Sequence, residues 1–272
     1  MSVKVVLGAI AAFTAVVYGS SILAGLAVRD LKFDRSEIPT HAGMAWTPPH
    51  DSSIPRGPLG ESIRRGRLIF NETPLYAPDH ATAKIKCADC HAEGGMQPFA
   101  SPVVAVPATF PQFNQRAGRV ITLKDRIQEC FVRSENGTPI DYDGEQMKSL
   151  VDYINWLSTP EPNRQQFVGR GLVSLPTLQP DPVHGQQIYA SQCAGCHGQH
   201  GEGSLPMFPP LWGPNAFNDG AGMNGIPKMA AFVQHNMPQN RMGILTPQQA
   251  WDVSAYIHAQ PHPAFNTAYA KF

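Results

Sequence analysis

Residues 87–91 read Cys-Ala-Asp-Cys-His, and residues 193–197 read Cys-Ala-Gly-Cys-His. Two thiols three positions apart, with a histidine directly after the second, form the attachment sequence for haem c. On one turn of helix the thiols reach the two vinyl groups of a porphyrin as thioethers, and the adjacent imidazole meets the iron from the proximal side. C-x-x-C alone would also suit a redox dithiol or half of a zinc site, but a histidine in the same place in both copies selects haem. Cys87, Cys90, Cys193 and Cys196 are therefore read as attachment points, with His91 and His197 as proximal ligands. The chain is expected to carry two covalently bound haem c groups.

The repeat extends beyond the motifs. Gly66-Arg-Leu-Ile-Phe70 precedes the first and Gly185-Gln-Gln-Ile-Tyr189 the second, with apolar positions on one helical face. Downstream, MKSLVDYINWL (147–157) matches AWDVSAYIHAQ (250–260), which puts Tyr153 and Tyr256 in register. Cys87 to Tyr153 spans 66 residues and Cys193 to Tyr256 spans 63, so the two units have nearly the same length. The pattern resembles a cytochrome c fold duplicated in tandem, in which N- and C-terminal helices cross beside the haem. The expected architecture is all-α with long loops: a first domain at 29–158, a linker at 159–180 and a second domain at 181–272. The linker assignment rests on TPEPNRQQFVGRGLVSLPTLQPDP, which has helix-breaking prolines and no strong period.

Bulk properties agree with two small loop-rich domains and exclude some partners. Lysine plus arginine equals aspartate plus glutamate at 21 each, so no net field favours nucleic acid or an anionic membrane. Val5 to Val28 run 24 residues without a charge, long enough for a helix to span a bilayer. Residues 1–28 are read as an apolar anchor helix, with a cleaved signal segment as the alternative. Either sends the remainder across the membrane, and haem c attachment implies a periplasmic location.

A low-spin electron-transfer haem takes a sixth ligand, commonly methionine. In the second domain Met237 and Met242 lie 40 and 45 residues after His197, before the final helix, and spacing leaves both open. In the first domain Met96 is only five residues after His91, too near to reach the opposite face, and Met147 is already in the last helix. The soft ligand in the right place is the fifth cysteine, Cys130, 39 residues after His91. A free cysteine is more often an inert buried residue, but its position in a domain with no other distal ligand reverses that reading.

If residues 124–134 are helical, Arg126, Cys130 and Ser134 fall on one face. Between 116 and 133 five cations (Arg116, Arg119, Lys124, Arg126 and Arg133) face only Asp125 and Glu129. Guanidinium groups lower a nearby thiol's pKa and bind oxyanions bidentately, so these cations are expected to converge on a Cys130 thiolate.

FPQFNQRAGRVITLKDRIQECFVRSENG, with CADCH before it and PPLWGPNAFNDGAGM and QAWDVSAYIHAQPHP after CAGCH, resembles the periplasmic dihaem thiosulfate dehydrogenases. The resemblance covers about residues 60–265. It implies oxidation of two thiosulfates to tetrathionate at a haem with histidine and cysteine ligands, the second haem passing electrons to a small cytochrome c or a high-potential iron-sulfur protein. It implies Cys130, Arg116, Arg126 and Ser134 as the active site. It also implies Met242, after the basic Arg241, as the second haem's ligand. Two alternatives accompany it: the same chemistry run mainly as tetrathionate reduction, and a dihaem electron carrier without catalysis.

Overall fold

The computed structural model describes residues 48–159 and 167–272. The expected apolar helix at 5–28 and residues 160–166 of the expected linker lie outside the described residues. No helix among the described residues is long and apolar enough to cross a membrane.

In the first domain, helix α1 (Pro58–Asn71) begins on a proline, whose fixed φ suits a first helical position. A hairpin of strands β1 (Gln112–Asn114) and β2 (Arg119–Ile121) follows, pairing Gln112 with Ile121 and Asn114 with Arg119. This is a local exception to the all-α expectation, and the reason is in the turn. Asn114 Oδ1 accepts the backbone N–H groups of Arg116 (2.9 Å) and Ala117 (3.1 Å), and Gly118 takes the positive φ of 64° that closes it. The hairpin holds Arg116 at its tip and delivers the chain to helix α2 (Leu123–Arg133). Thr122 caps α2 reciprocally: its Oγ1 accepts from Asp125 N–H, and the Asp125 carboxylate accepts from Thr122 N–H. Helix α3 (Glu145–Leu157) closes the domain.

Helices α1 and α3 cross where the sequence repeats Gly66. A Cβ at Gly66 would lie 1.9 Å from Ser149 O, so only glycine permits this approach. Around the crossing Ile63, Ile69 and Phe70 bury against Leu150, Tyr153, Ile154 and Leu157. The second domain repeats the device with helices α4 (Pro182–Ile188), α5 (Ile226–Asn236) and α6 (Pro247–His258). A Cβ at Gly185 would meet Asp252 O at 2.0 Å, and Asp252 stands four residues before Tyr256 just as Ser149 stands four before Tyr153. Tyr189, Tyr256 and Trp212 pack there with ring centroids 4.9–5.9 Å apart. The expected helix crossing is therefore present in both halves.

The halves are laced together. Ala83 and Ile85 of the first domain enter the core built around Trp212, Phe217 and Trp251. Lys84 N–H donates to Asn215 O at 2.8 Å, and Asn218 Nδ2 to Val132 O at 2.9 Å. Coming the other way, the segment beyond 166 buries Phe167 against Val104 and Ala105 and pairs Leu172 with Ala100. The 215–224 loop of the second domain consequently lies along the C-terminal end of α2, where Cys130 sits.

Candidate active site

Each C-x-x-C-H stretch forms a short helical turn, Cys87–Cys90 in the first domain and Ala194–His197 in the second. In the second, α4 runs into it through a single π turn, Tyr189–Cys193, of the kind that marks functional positions in helices. His91 Nδ1 hydrogen-bonds Ser101 O, and His197 Nδ1 hydrogen-bonds Pro209 O at 2.9 Å. A carbonyl partner fixes the tautomer with the proton on Nδ1 and leaves Nε2 as a lone-pair donor. Burial holds both imidazoles below their ordinary pKa, hence neutral at pH 7, which is the form that binds iron. Among the described residues no three His, Cys, Asp or Glu side chains gather as around a bare ion. One imidazole beside two thiols instead fits an iron whose equatorial positions a porphyrin fills.

A cavity of about 350 Å³ opens in the first domain. Cys87, Cys90 and His91 line it, with Arg126, Cys130 and Ser134 from α2 and apolar walls that include Phe70, Val103, Ile127 and Leu150. The i, i+4, i+8 spacing thus places Arg126, Cys130 and Ser134 along one face, in one cavity with His91. The capped 11-residue helix holds them at fixed intervals.

The cations behave differently from the sequence-based expectation. Arg119 pairs with Asp125 (3.3 Å) and Lys124 with Asp143 (2.8 Å). Arg133 is buried, stacks on Phe265 at 4.0 Å and donates to Phe272 O at 2.9 Å. Of the five, Arg126 and Arg116 bear electrostatically on the Cys130 thiol. They do not win. Burial pushes that thiol above its ordinary pKa against the pull of Arg126, with Glu129 and Glu135 adding to the rise and Arg116 opposing it. In the polypeptide alone desolvation exceeds the two guanidiniums; a bound metal would be what favours the thiolate.

Glu129, counted in the sequence only as a counter-charge, is a buried partner of the site's arginine. It is 2 % exposed, accepts from Asn114 Nδ2 at 2.9 Å and pairs with Arg126 at 2.6 Å. Its signal was present as an i,i+3 pair on the helix. Glu135, buried with one carboxyl oxygen unpaired, and Arg170, from the expected linker, also line the cavity. Lys228, at the start of α5, has its pKa lowered by burial and then by Arg116 and Arg126, so first-domain cations act on a second-domain ammonium. No local pattern announces that coupling.

In the second domain Met237 is half-buried against Phe232 and Ala92. Met242 is 51 % exposed, and its sulfur accepts from Gln97 Nε2 of the first domain at 3.6 Å. Beside it Arg241 donates to Gln192 Oε1 at 2.7 Å, one residue before Cys193, which ties the Met242 loop to the attachment turn.

Two family models match the chain: "SoxA/TsdA, cytochrome c domain" over residues 73–162 and "Cytochrome c" over 182–261. The two domains, each with its C-x-x-C-H, imply two covalently bound haem c groups, as expected. A thiosulfate dehydrogenase of Allochromatium vinosum is 40% identical over 233 residues, covering 82% of this chain and 86% of that protein. One of Thiomonas intermedia is 37% identical, covering 81% and 72%. Among solved structures, the thiosulfate dehydrogenase TsdBA of Marichromatium purpuratum in its as-isolated form superposes with a TM-score of 0.74 at 39% identity. That alignment covers 80% of this chain, which spans half of the TsdBA chain.

Proposed function

The chain belongs to the thiosulfate dehydrogenase family, and from that premise we propose that it joins two thiosulfates into tetrathionate at Cys130. What supports the location is the convergence of Cys130, Arg126 and Ser134 with Cys87, Cys90 and His91 around one cavity. His91 and Cys130 would hold the first haem, and His197 and Met242 the second. When bound, the two haems supply the sink for two electrons and their relay to an external acceptor such as a small cytochrome c.

The chain's own residues do the remainder. Arg126, already directed by Glu129, presents its guanidinium to the sulfonate oxygens of thiosulfate, and Ser134 adds a hydroxyl donor one turn beyond Cys130. The Cys130 sulfur bonds the outer sulfur of one thiosulfate, giving a cysteine S-thiosulfonate with loss of two electrons. The outer sulfur of a second thiosulfate then attacks that outer sulfur. Tetrathionate leaves and the thiolate is regenerated, so two dianions become one dianion and two electrons. We place this chemistry in the periplasm, with residues 5–28 as the membrane anchor.

The purified dihaem protein is expected to reduce ferricyanide with one electron per thiosulfate consumed, and to accumulate tetrathionate. Reduction without tetrathionate, or none at all, would overturn the reading, and an assay run from tetrathionate fixes the favoured direction. Met242→Ala is expected to abolish the thioether-to-iron charge-transfer band of the second haem and lower its potential, whereas Met237→Ala keeps both. The reverse pattern assigns the ligand to Met237.

A further inference from the structure

The two thiosulfates bring four negative charges to a site where the guanidinium of Arg126 is already paired with buried Glu129. Two dianions side by side repel, and only further cations near the second one offset that. The second domain brings one to the 220–222 loop, which also holds Arg116. Arg116, at the tip of the hairpin, donates through Nη1 to Gly220 O at 3.1 Å, so the 220–222 loop carries it. Two residues on, a Cβ at Gly222 would stand 3.8 Å from Lys228 Nζ, which locates the ammonium over the same loop. Gly220 must lack a side chain for this arrangement, because a Cβ there would come within 2.8 Å of Arg133 Nη1 and 2.9 Å of Phe265.

Lys228 is held at an electrostatic disadvantage. It sits in the first turn of α5, where the helix dipole disfavours a cation, and the like charges of Arg116 and Arg126 act on it. Among the described residues no carboxylate forms an ion pair with it. Three cations drawn from two domains, with Glu129 paired to one of them, are relieved by an incoming anion.

Resting on the thiosulfate reading above, we propose that Lys228 and Arg116 form the subsite for the second thiosulfate, across the domain seam from Cys130. The bond-forming step is the one already balanced: the second thiosulfate's outer sulfur attacks the sulfur carried by Cys130. Lys228 holds the sulfonate end of that attacking anion and releases it as tetrathionate, whose two charges are spread over a longer molecule. The first domain therefore carries the reacting sulfur, and the second completes the binding site.

The test uses the holoenzyme with Lys228→Met and Lys228→Arg. With thiosulfate as substrate, Lys228→Met is expected to raise KM about tenfold, equivalent to about 1.4 kcal/mol, and to flatten the dependence of kcat/KM on ionic strength. Lys228→Arg is expected to recover the affinity to within about twofold of the original. Binding of sulfate, an unreactive dianion, is followed by calorimetry on the oxidised protein and is expected to weaken in parallel. An unchanged KM, salt dependence and sulfate affinity in Lys228→Met overturn the subsite, as does failure of Lys228→Arg to rescue. A parent enzyme that binds sulfate through Lys228 but does not oxidise thiosulfate overturns the functional reading and leaves the anion subsite standing.

Discussion

Cys130→Ala is expected to lower thiosulfate-dependent ferricyanide reduction by about a thousandfold or more, while both haems remain attached. The substitution removes one sulfur from a half-buried position on an 11-residue helix. Alanine is the best helix former, so α2 and its cap survive and the fold changes little. What disappears is the sulfur proposed to bond the outer sulfur of thiosulfate, in the cavity that His91 also lines. Cys130→Met separates ligation from chemistry. A thioether can bind iron and would raise the first haem's potential, but it cannot form the S-thiosulfonate, so turnover stays as low as in Cys130→Ala. Both variants should therefore raise the first haem's potential, but their spectra should differ, with a thioether-ligated low-spin haem in Cys130→Met and no distal sulfur ligand in Cys130→Ala, while rates fall together. Full turnover in Cys130→Ala would eliminate any covalent role for this residue, and turnover restored by methionine would reduce it to a ligand.

The parts of the molecule visible in the sequence were those with a local chemical signature or an internal copy. The attachment motifs state their chemistry in five residues. Gly66 and Gly185 recur at matching offsets because each must let one helix cross the carbonyl of another, so duplication exposed a packing requirement that a single copy would hide. Cys130 was singled out by elimination, as the remaining soft side chain of its domain, and it lines the cavity that Cys87, Cys90 and His91 also line. The charge pattern around it was not legible. Five cations were counted as one group, but Arg119, Lys124 and Arg133 answer to Asp125, Asp143 and the Phe265–Phe272 segment, partners fixed by tertiary structure. Lys228 is 98 residues from Cys130 in the chain, and it joins the site only because the 215–224 loop is stitched to the end of α2. The thiol's elevated pKa follows from the same source, since burial is a property of the folded surroundings and no spacing rule reports it.

Arg126 tests whether its pair with Glu129 is part of the chemistry or only of the fold. Arg126→Ala removes a guanidinium that lines the cavity and leaves the Glu129 carboxylate, 2 % exposed, with Asn114 Nδ2 at 2.9 Å as its side-chain donor among the described residues. Stranding a buried charge costs about 3–5 kcal/mol when the pair is fully enclosed. Because the Arg126 side chain is 43 % exposed, solvent already screens the pair and a loss of about 2 kcal/mol is expected. Turnover should fall about 100- to 1000-fold, the scale for removing one preorganised donor from a developing anion. Adding Glu129→Gln to Arg126→Ala removes the stranded charge while the amide keeps an acceptor for Asn114. The double variant is therefore expected to regain most of the denaturant resistance and none of the turnover. Glu129→Gln alone frees the guanidinium from its carboxylate, so thiosulfate binding should tighten while the orientation of Arg126 loosens, giving a lower KM and a lower kcat together. If the double variant recovers activity along with stability, Arg126 serves to neutralise Glu129 and the substrate must be held by Arg116 and Ser134. If stability and turnover both stay low, the carboxylate itself is needed, and the Arg126–Glu129 pair works as one unit whose acid positions the base against the sulfonate.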